Sequence, residues 1–424
     1  MIIERFAEAN RKTLLMRDAA AANVREPVSL ILREVEHRGD AAVLEYTERF
    51  DGVRLEALEV PAEECKMAAE ALPPALAGAM RRAADNIRAF HSRQLREGFT
   101  MDCGNGVRMG QNVTPIEKVG LYIPGGTAAY PSTVFMNAIP AKLAGCREIV
   151  LVSPPGKDGQ IAAPVLAAAY LSGVTRVFRC GGAQAIAALA FGTETVPKVD
   201  KIVGPGNAYV AEAKRQVFGR VAIDMIAGPS EILVVADGKS DPRLVAADLL
   251  SQAEHDRMAA AVLVTDSGSL AEAVSLELET QLATLPREAI ARASLERNGR
   301  ILVVDSLEEA VEAANELAPE HLELAVEEPD KLLPLVKNAG SVFLGRYTPE
   351  SLGDYLAGLN HTLPTSGTAR FSSPLSVDDF IKKTQYLSYT KEALSEVAEE
   401  IAVFARAEGL EAHARAALFR REDA

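Results

Sequence analysis

The chain has 424 residues, enough for about two to four domains. With 48% hydrophobic and 25% charged side chains it has the composition of an ordinary globular protein. Its net charge of −14, from 45 basic against 59 acidic residues, argues against nucleic acid as a main partner, because phosphate binding calls for basic patches.

The opening MIIERFAEAN carries Glu4, Arg5 and Glu8 and lacks the apolar run of a signal peptide. No apolar stretch approaches the ~20 residues of a membrane span, so a cytoplasmic location is expected. Residues 1–100 read as helical. SLILREVEHRGDAAVLEYTERFDG has apolar residues at helical spacing with a break at Gly39, and ALPPALAGAMRRAADNIRAFHSRQL (71–95) starts with prolines and continues as an amphipathic helix. His37 and His91, among charged neighbours, are expected to be solvated or structural. The cysteines Cys65, Cys103, Cys146 and Cys180 form no C-x-x-C pair, so reduced, scattered thiols are expected.

From Val119 the pattern changes. VGLYIPGG, REIVLVSPPG, VTRVFRCGGAQ, DKIVGPGNAY and SEILVVADG are short β-branched runs ending in turn residues, with helical segments such as AAPVLAAAYLSG and AYVAEAKRQVFG between them. Alternating strands and helices predict parallel sheets covered on both faces. The pattern continues through a helix from Pro242, then AAVLVTD, RILVVD, a helix opened by the S-x-x-E capping box Ser306–Glu309, and SVFLG. Two strand–helix series of similar grammar thus run in succession, with seams at the Pro/Gly clusters 124–126 and 227–230. After Ser372 the sheet grammar stops, and the remainder reads as a helical tail interrupted at Gly409.

Ligands bind at the carboxyl ends of parallel strands, which directs attention to three loops: Tyr122–Gly126, Gly181–Gln184 and Gly204–Asn207. None is a clean G-x-G-x-x-G, but CGGAQA places glycines at a helix start where free N–H groups could hold a phosphate. Among polar residues, Gln252 and His255 lie three apart on a predicted helix and could reach one ion. Asp354 and His361, seven apart, would share a face if helical, or fold inward together if their glycine-rich segment is a loop. Spacing alone therefore makes His361 a candidate metal ligand, and leaves His413, near Glu408, undecided. Pro319 predicts that Glu320-His321 opens a helix, whose dipole would favour a neutral imidazole able to act as general base.

The ordered set VGLYIPGG, CGGAQAIAALAFGT, KIVGPGN, DMIAGPSEILV, SQAEHD, APEHLEL, LGDYLAGLNHTLPTSGTARFSSPLSV and AEGLEAH resembles histidinol dehydrogenase, from about residue 20 to the end. The resemblance implies a zinc enzyme that completes histidine biosynthesis, taking L-histidinol through the aldehyde to L-histidine with two NAD molecules in turn. It implies one zinc per subunit, held by Gln252, His255, Asp354 and His413, and thus moves the metal role from His361 to His413. It makes Glu320 and His321 the acid–base pair, with Glu320 activating water for the second oxidation. It assigns Ser230, His361 and Glu408 to the substrate, alongside Gln252, His255, His321, Asp354 and His413, and assigns Tyr122, Gln184 and Asn207 to NAD. It also implies a homodimer in which the tail crosses to complete the partner's site. Thr365-Ser366-Gly367 departs from the family pattern without touching a central residue.

Pattern and resemblance together predict an α/β protein of two incomplete Rossmann-like domains with parallel sheets. The expected partition is a helical arm (1–20), a discontinuous first domain (21–121 and 231–374), an NAD-binding second domain (122–230) and a swapped helical tail (375–424). Three rivals remain at this point: a related zinc/NAD dehydrogenase acting on another primary alcohol such as a sulfonated diol, a zinc hydrolase, and a non-catalytic nucleotide-binding module.

Overall fold

The computed structural model describes residues 1–9, 24–125 and 129–421. It divides into two compact units, Met1–Gln94 with Glu117–Phe380 and Leu95–Ile116 with Ile381–Ala424. The larger begins with β1 (Ile2–Arg5), α1 (Arg25–Arg38), α2 (Asp40–Asp51), β2 (Glu59–Val60), α3 (Ala62–Glu70) and α4 (Pro74–His91). The smaller unit contributes β3 (Phe99–Asp102) and β4 (Val107–Pro115). The chain then returns as β5 (Lys118–Tyr122), α5 (Pro131–Ala144), β6 (Glu148–Ser153), α6 (Ala163–Ser172), β7 (Arg176–Arg179), α7 (Gly182–Phe191), β8 (Lys201–Val203), α8 (Ala208–Val217) and β9 (Ala222–Ile223). A second series follows: β10 (Glu231–Ala236), α9 (Pro242–Ala253), β11 (Ala260–Thr265), α10 (Gly268–Leu282), α11 (Glu288–Asn298), β12 (Arg300–Val303), α12 (Leu307–Leu317), β13 (His321–Ala325), β14 (Ser341–Leu344) and α13 (Glu350–Tyr355).

The two series build two six-stranded sheets of matching topology. One has the order β2-β7-β6-β5-β8-β9, the other β1-β12-β11-β10-β13-β14. Each therefore places its own five strands as third, second, first, fourth and fifth, with one earlier strand added beside the third. Every pairing is parallel except β2 against β7. Strand order reverses between β5 and β8 in one sheet and between β10 and β13 in the other, which are the switch points where such sheets open a crevice.

Burial explains the strands. All six residues of β10 are buried. Ile232, Val234 and Ala236 enter one core cluster while Leu233 and Val235 enter the cluster on the opposite face, as the two-residue period of a strand requires. The helices start where their caps dictate. Asp241 accepts the N–H of Arg243 ahead of Pro242 in α9, and the Ser306 hydroxyl accepts the N–H of Glu309 while Glu309 accepts that of Asp305.

Three parts of the expected partition need correction. Residues 2–5 form a strand paired with β12, not the start of a helical arm; residues 10–20 of that arm lie outside the described residues. The helices after residue 24 join the second series' neighbour, not the 231–374 sheet. The stripe Val28, Ile31, Leu32 and Val35 shares its core with Ile186, Ala187 and Val210 of α7 and α8, and β2 pairs β7. Lastly, the 375–424 tail is not wholly helical. In the smaller unit β15 (Ile381–Tyr389) pairs antiparallel with β4, giving the order β15-β4-β3, before α14 (Lys391–Ala407) and α15 (Glu411–Leu418). The β-branched and aromatic run from Ile381 is satisfied by a partner more than two hundred residues earlier, which local pattern cannot reveal. Among the described residues no helix is long and apolar enough to cross a membrane.

Candidate active site

His321 opens β13, and Glu231 opens β10 beside it, with His321 registered against Ile232. Pro319 therefore precedes a strand and not a helix. The buried run His321-Leu322-Glu323-Leu324-Ala325 takes its place in the sheet, so the expected helix dipole is absent and burial takes its role. His321 is 4% exposed. Its Nδ1 lies 3.0 Å from the Glu231 carbonyl oxygen. Because a carbonyl only accepts, Nδ1 must carry the proton, which leaves Nε2 as a lone pair. That nitrogen has no hydrogen-bond partner among the described residues. Burial holds the imidazole below its ordinary pKa, against the opposing pull of Asp354. The result is a neutral base with its free nitrogen directed at carboxylates: Glu350 Oε1 and Asp354 Oδ1 each lie 3.9 Å from it.

Glu320 is also buried, and its Oε2 accepts the Glu231 N–H at 2.9 Å. Burial pushes its pKa well above the usual carboxylate range, which raises its affinity for a proton. Asp354 lies on the short helix α13, and the loop after it folds His361 back so that His361 Nδ1 is 3.5 Å from Asp354 Oδ1. Gly358 makes that fold possible. Its φ is +98°, and a Cβ there would lie 2.6 Å from the Asn86 carbonyl oxygen. The far nitrogen of His361, Nε2, is 3.2 Å from the hydroxyl of Thr133 at the start of α5. Burial works against ionisation of Asp354, but His361 and His321 hold its pKa below the ordinary carboxylate range.

The site draws on opposite ends of the two sheets. Thr133 follows the carboxyl end of β5, whereas Glu231 and His321 stand at the amino ends of β10 and β13. The candidate NAD residues Tyr122, Gln184 and Asn207 lie at strand carboxyl ends of the β5–β9 sheet, whereas Glu320 and His321 lie at the amino end of β13.

At its carboxyl edge, Tyr122 ends β5 and its hydroxyl accepts the N–H of Gly182 at 3.1 Å. Gln184 is 1% exposed and its Oε1 has no partner among the described residues. Asn207 caps α8, its Oδ1 accepting from Tyr209 and Val210 N–H. Gly126 of the first expected loop, and of the seam at 124–126, lies outside the described residues.

The other expected site residues divide. Gln252, at the end of α9, is buried with its Oε1 unpartnered among the described residues. His255 sits two residues past the helix end and is exposed, so the two do not share one helix; it is still near enough to disfavour protonation of His321. Ser230 is half-buried immediately before β10. Glu408 and His413 lie exposed in the smaller unit, after α14 and on α15.

Sequence reasoning missed Glu350. It is 2% exposed, its Oε2 accepts from Ser251 Oγ at 3.2 Å, and burial raises its pKa to about 8. Its signal was present as two carboxyls four residues apart, Glu350 and Asp354, which repel on a helix unless something lies between them. Behind it, Glu323 accepts the Glu350 N–H at 2.6 Å. Glu323 is raised well above its usual range and Asp248 to about 6, both chiefly by burial.

Comparison with known proteins places this geometry. The sequence profile of the histidinol dehydrogenase family matches residues 15–421. A histidinol dehydrogenase of Geobacillus kaustophilus is 59% identical, over 92% of this chain and 92% of that protein. One from Bacillus cereus is 53% identical over 100% of this chain and 99% of its own. The chain belongs to the histidinol dehydrogenase family. Its fold agrees: a crystal structure of histidinol dehydrogenase from Elizabethkingia anophelis superposes with a TM-score of 0.93 at 41% identity, covering 99% of this chain and 97% of that one.

The residues present offer donors of the kinds that both expected groups use. Among the described residues, His321, Glu350 and Asp354 offer one donor atom each within 4.8 Å of one another. Asp354 is the one member of the expected ligand set in that trio. Imidazole nitrogen, carboxylate oxygen and the buried Gln252 amide oxygen, unpartnered among the described residues, are donors that zinc accepts, the amide least commonly. On the other side, the Gln184 amide oxygen, buried and without a partner among the described residues, is a polar group that a nucleotide could meet.

Proposed function

We propose that the chain oxidises L-histidinol to L-histidine in two successive two-electron steps. The observation that carries this reading is His321, a buried imidazole whose Nδ1–H is committed to the Glu231 carbonyl and whose Nε2 is free beside Asp354. When bound, NAD would accept the hydride of each step and zinc would orient the substrate through its nitrogen atoms.

Nε2 of His321 takes the hydroxyl proton as the alcohol carbon gives up hydride. In the second step Glu320 accepts a proton from the water that adds to the aldehyde, and His321 takes a proton from the resulting hydrate. The enclosure around Glu320 and His321 keeps the aldehyde from bulk water between steps. Gln252, His255 and Asp354, with His413, would hold the zinc. His321 is reserved as base, because a nitrogen that binds metal has no lone pair left for a proton. Ser230 and His361, with Glu408, would contact the substrate, and Tyr122, Gln184 and Asn207 the NAD. Since Glu408 and His413 are exposed in the smaller unit, we assign them to the site of a partner subunit in a homodimer.

Histidinol supplied with excess NAD should yield two NADH for each histidine formed. Turnover of a sulfonated diol with no NADH from histidinol would overturn the substrate assignment. Mixing His413→Ala with Asp354→Ala subunits should recover about one intact site per heterodimer, and no recovery would contradict the exchanged tail.

A further inference from the structure

Behind the Gly204–Asn207 loop lies a charged pair that touches none of the groups assigned above. Lys214, on α8, and Asp224, just after β9, form an ion pair whose side chains are 2% and 1% exposed. Buried charges of this kind persist where they are fully paired and hydrogen-bonded, and here the remaining bonds all go to loop backbone. Lys214 Nζ donates to the Gly204 carbonyl at 3.0 Å. Asp224 Oδ2 accepts the Gly204 N–H at 2.7 Å. The pair thus grips both polar groups of one residue.

Gly204 needs that grip. Its φ is +113°, and a Cβ there would lie 2.1 Å from the Tyr122 carbonyl oxygen, so the loop is pressed against the residue ending the neighbouring strand. Three residues on, Asn207 spends its Oδ1 on capping α8 and keeps its amide N–H groups available. Asp224 also accepts the Met225 N–H at 2.7 Å, at the base of the segment that leads to Ser230. The far end of that segment is held independently: Gly228 N–H donates to Thr365 Oγ1 at 2.6 Å, and Glu231 accepts the Ser366 N–H at 3.0 Å.

We infer that Lys214 and Asp224 are positioning residues for the nucleotide, fixing the Gly204–Asn207 loop so that the binding groups of Tyr122 and Asn207 are set before NAD arrives. The inference rests on the reading of Tyr122, Gln184 and Asn207 as cofactor contacts. It predicts an asymmetry: loosening the pair weakens nucleotide binding and leaves the substrate end, with its separate anchors, intact.

The test is the double variant Lys214→Met/Asp224→Asn, which removes both charges and retains an acceptor for the Gly204 N–H, together with Asp224→Asn alone. NADH emission is followed directly, as the chain has no tryptophan. The double variant should keep the wild-type circular dichroism, bind NADH about tenfold more weakly, as residues acting without ligand contact can, and show a matching rise in KM for NAD. The KM for histidinol and kcat at saturating NAD should stay within about twofold, with Asp224→Asn intermediate. Unchanged NADH affinity, or equal loss of affinity for NAD and histidinol, would overturn the inference; so would loss of fold in both variants, which would assign the pair to stability. If the wild-type protein binds no NADH, the cofactor reading fails first and the inference with it.

Discussion

The two sheets share one topology, and the candidate residues lie at opposite ends of it. In the β5–β9 sheet the candidate groups lie at the carboxyl ends: Tyr122 with Gly204 pressed against it, the buried amide of Gln184, and Asn207 capping α8. In the β10–β14 sheet the candidate groups stand at the amino ends: the side chains of Glu320 and His321, each bonded to the Glu231 backbone, with Glu350 and Asp354 facing His321. The first arrangement is built from uncharged groups. The second concentrates titratable groups away from water, where burial shifts Glu320 and Glu350 up and His321 down. On the proposed reading the repeated fold divides the work, with one copy holding the nucleotide and the other reacting.

The sharpest way to break this division is His321→Asn. It should lower kcat for both oxidations by about a thousandfold, in the range of lost general-base catalysis, with NADH affinity unchanged. Asp354→Ala should come next, with the bound zinc lost from the purified protein by elemental analysis and turnover falling in parallel. Glu320→Gln should slow the oxidation of supplied aldehyde by about a hundredfold and slow that of histidinol to aldehyde far less. Normal aldehyde oxidation by this variant would remove Glu320 from water activation. On the other sheet, Gly204→Ala forces a Cβ against the Tyr122 carbonyl and should raise the KM for NAD about tenfold, a local strain of this kind costing roughly 1–3 kcal/mol.

The smallest effect probes a carboxyl of the holding half. Asp51, at the end of α2, is raised to about 6 by burial alone, and its Oδ2 has no partner among the described residues. The folded state therefore binds its proton more tightly than the unfolded chain does. Stability from this group is full below the unfolded value near 3.8 and is lost as pH rises through about 6. Asp51→Asn should raise the melting temperature of the free protein by a few degrees at pH 8 and by almost nothing at pH 4. An equal gain at both pH values would contradict the account.

Much of the fold was legible because local pattern and final structure agree. The β-branched runs became strands, and Pro242 and the Ser306–Glu309 box opened their helices. What failed depended on distant partners. Ile381–Tyr389 looked helical beside true helices and is a strand only because β4 is there to receive it. His321 was read in a helical turn because Pro319 starts helices well, yet the buried β10 edge claimed it. Within the site, Asp354 and His361 were recognised as neighbours, and their loop folds them together at 3.5 Å. Glu350 escaped notice because its importance lies in burial, which spacing does not display.

The division between the two sheets is tested most directly by NADH titration and histidinol turnover on one preparation of His321→Asn. The account predicts wild-type NADH affinity together with a rate of histidinol oxidation lowered by about a thousandfold. A variant that still turns over normally, or whose NADH affinity falls along with its rate, would contradict it.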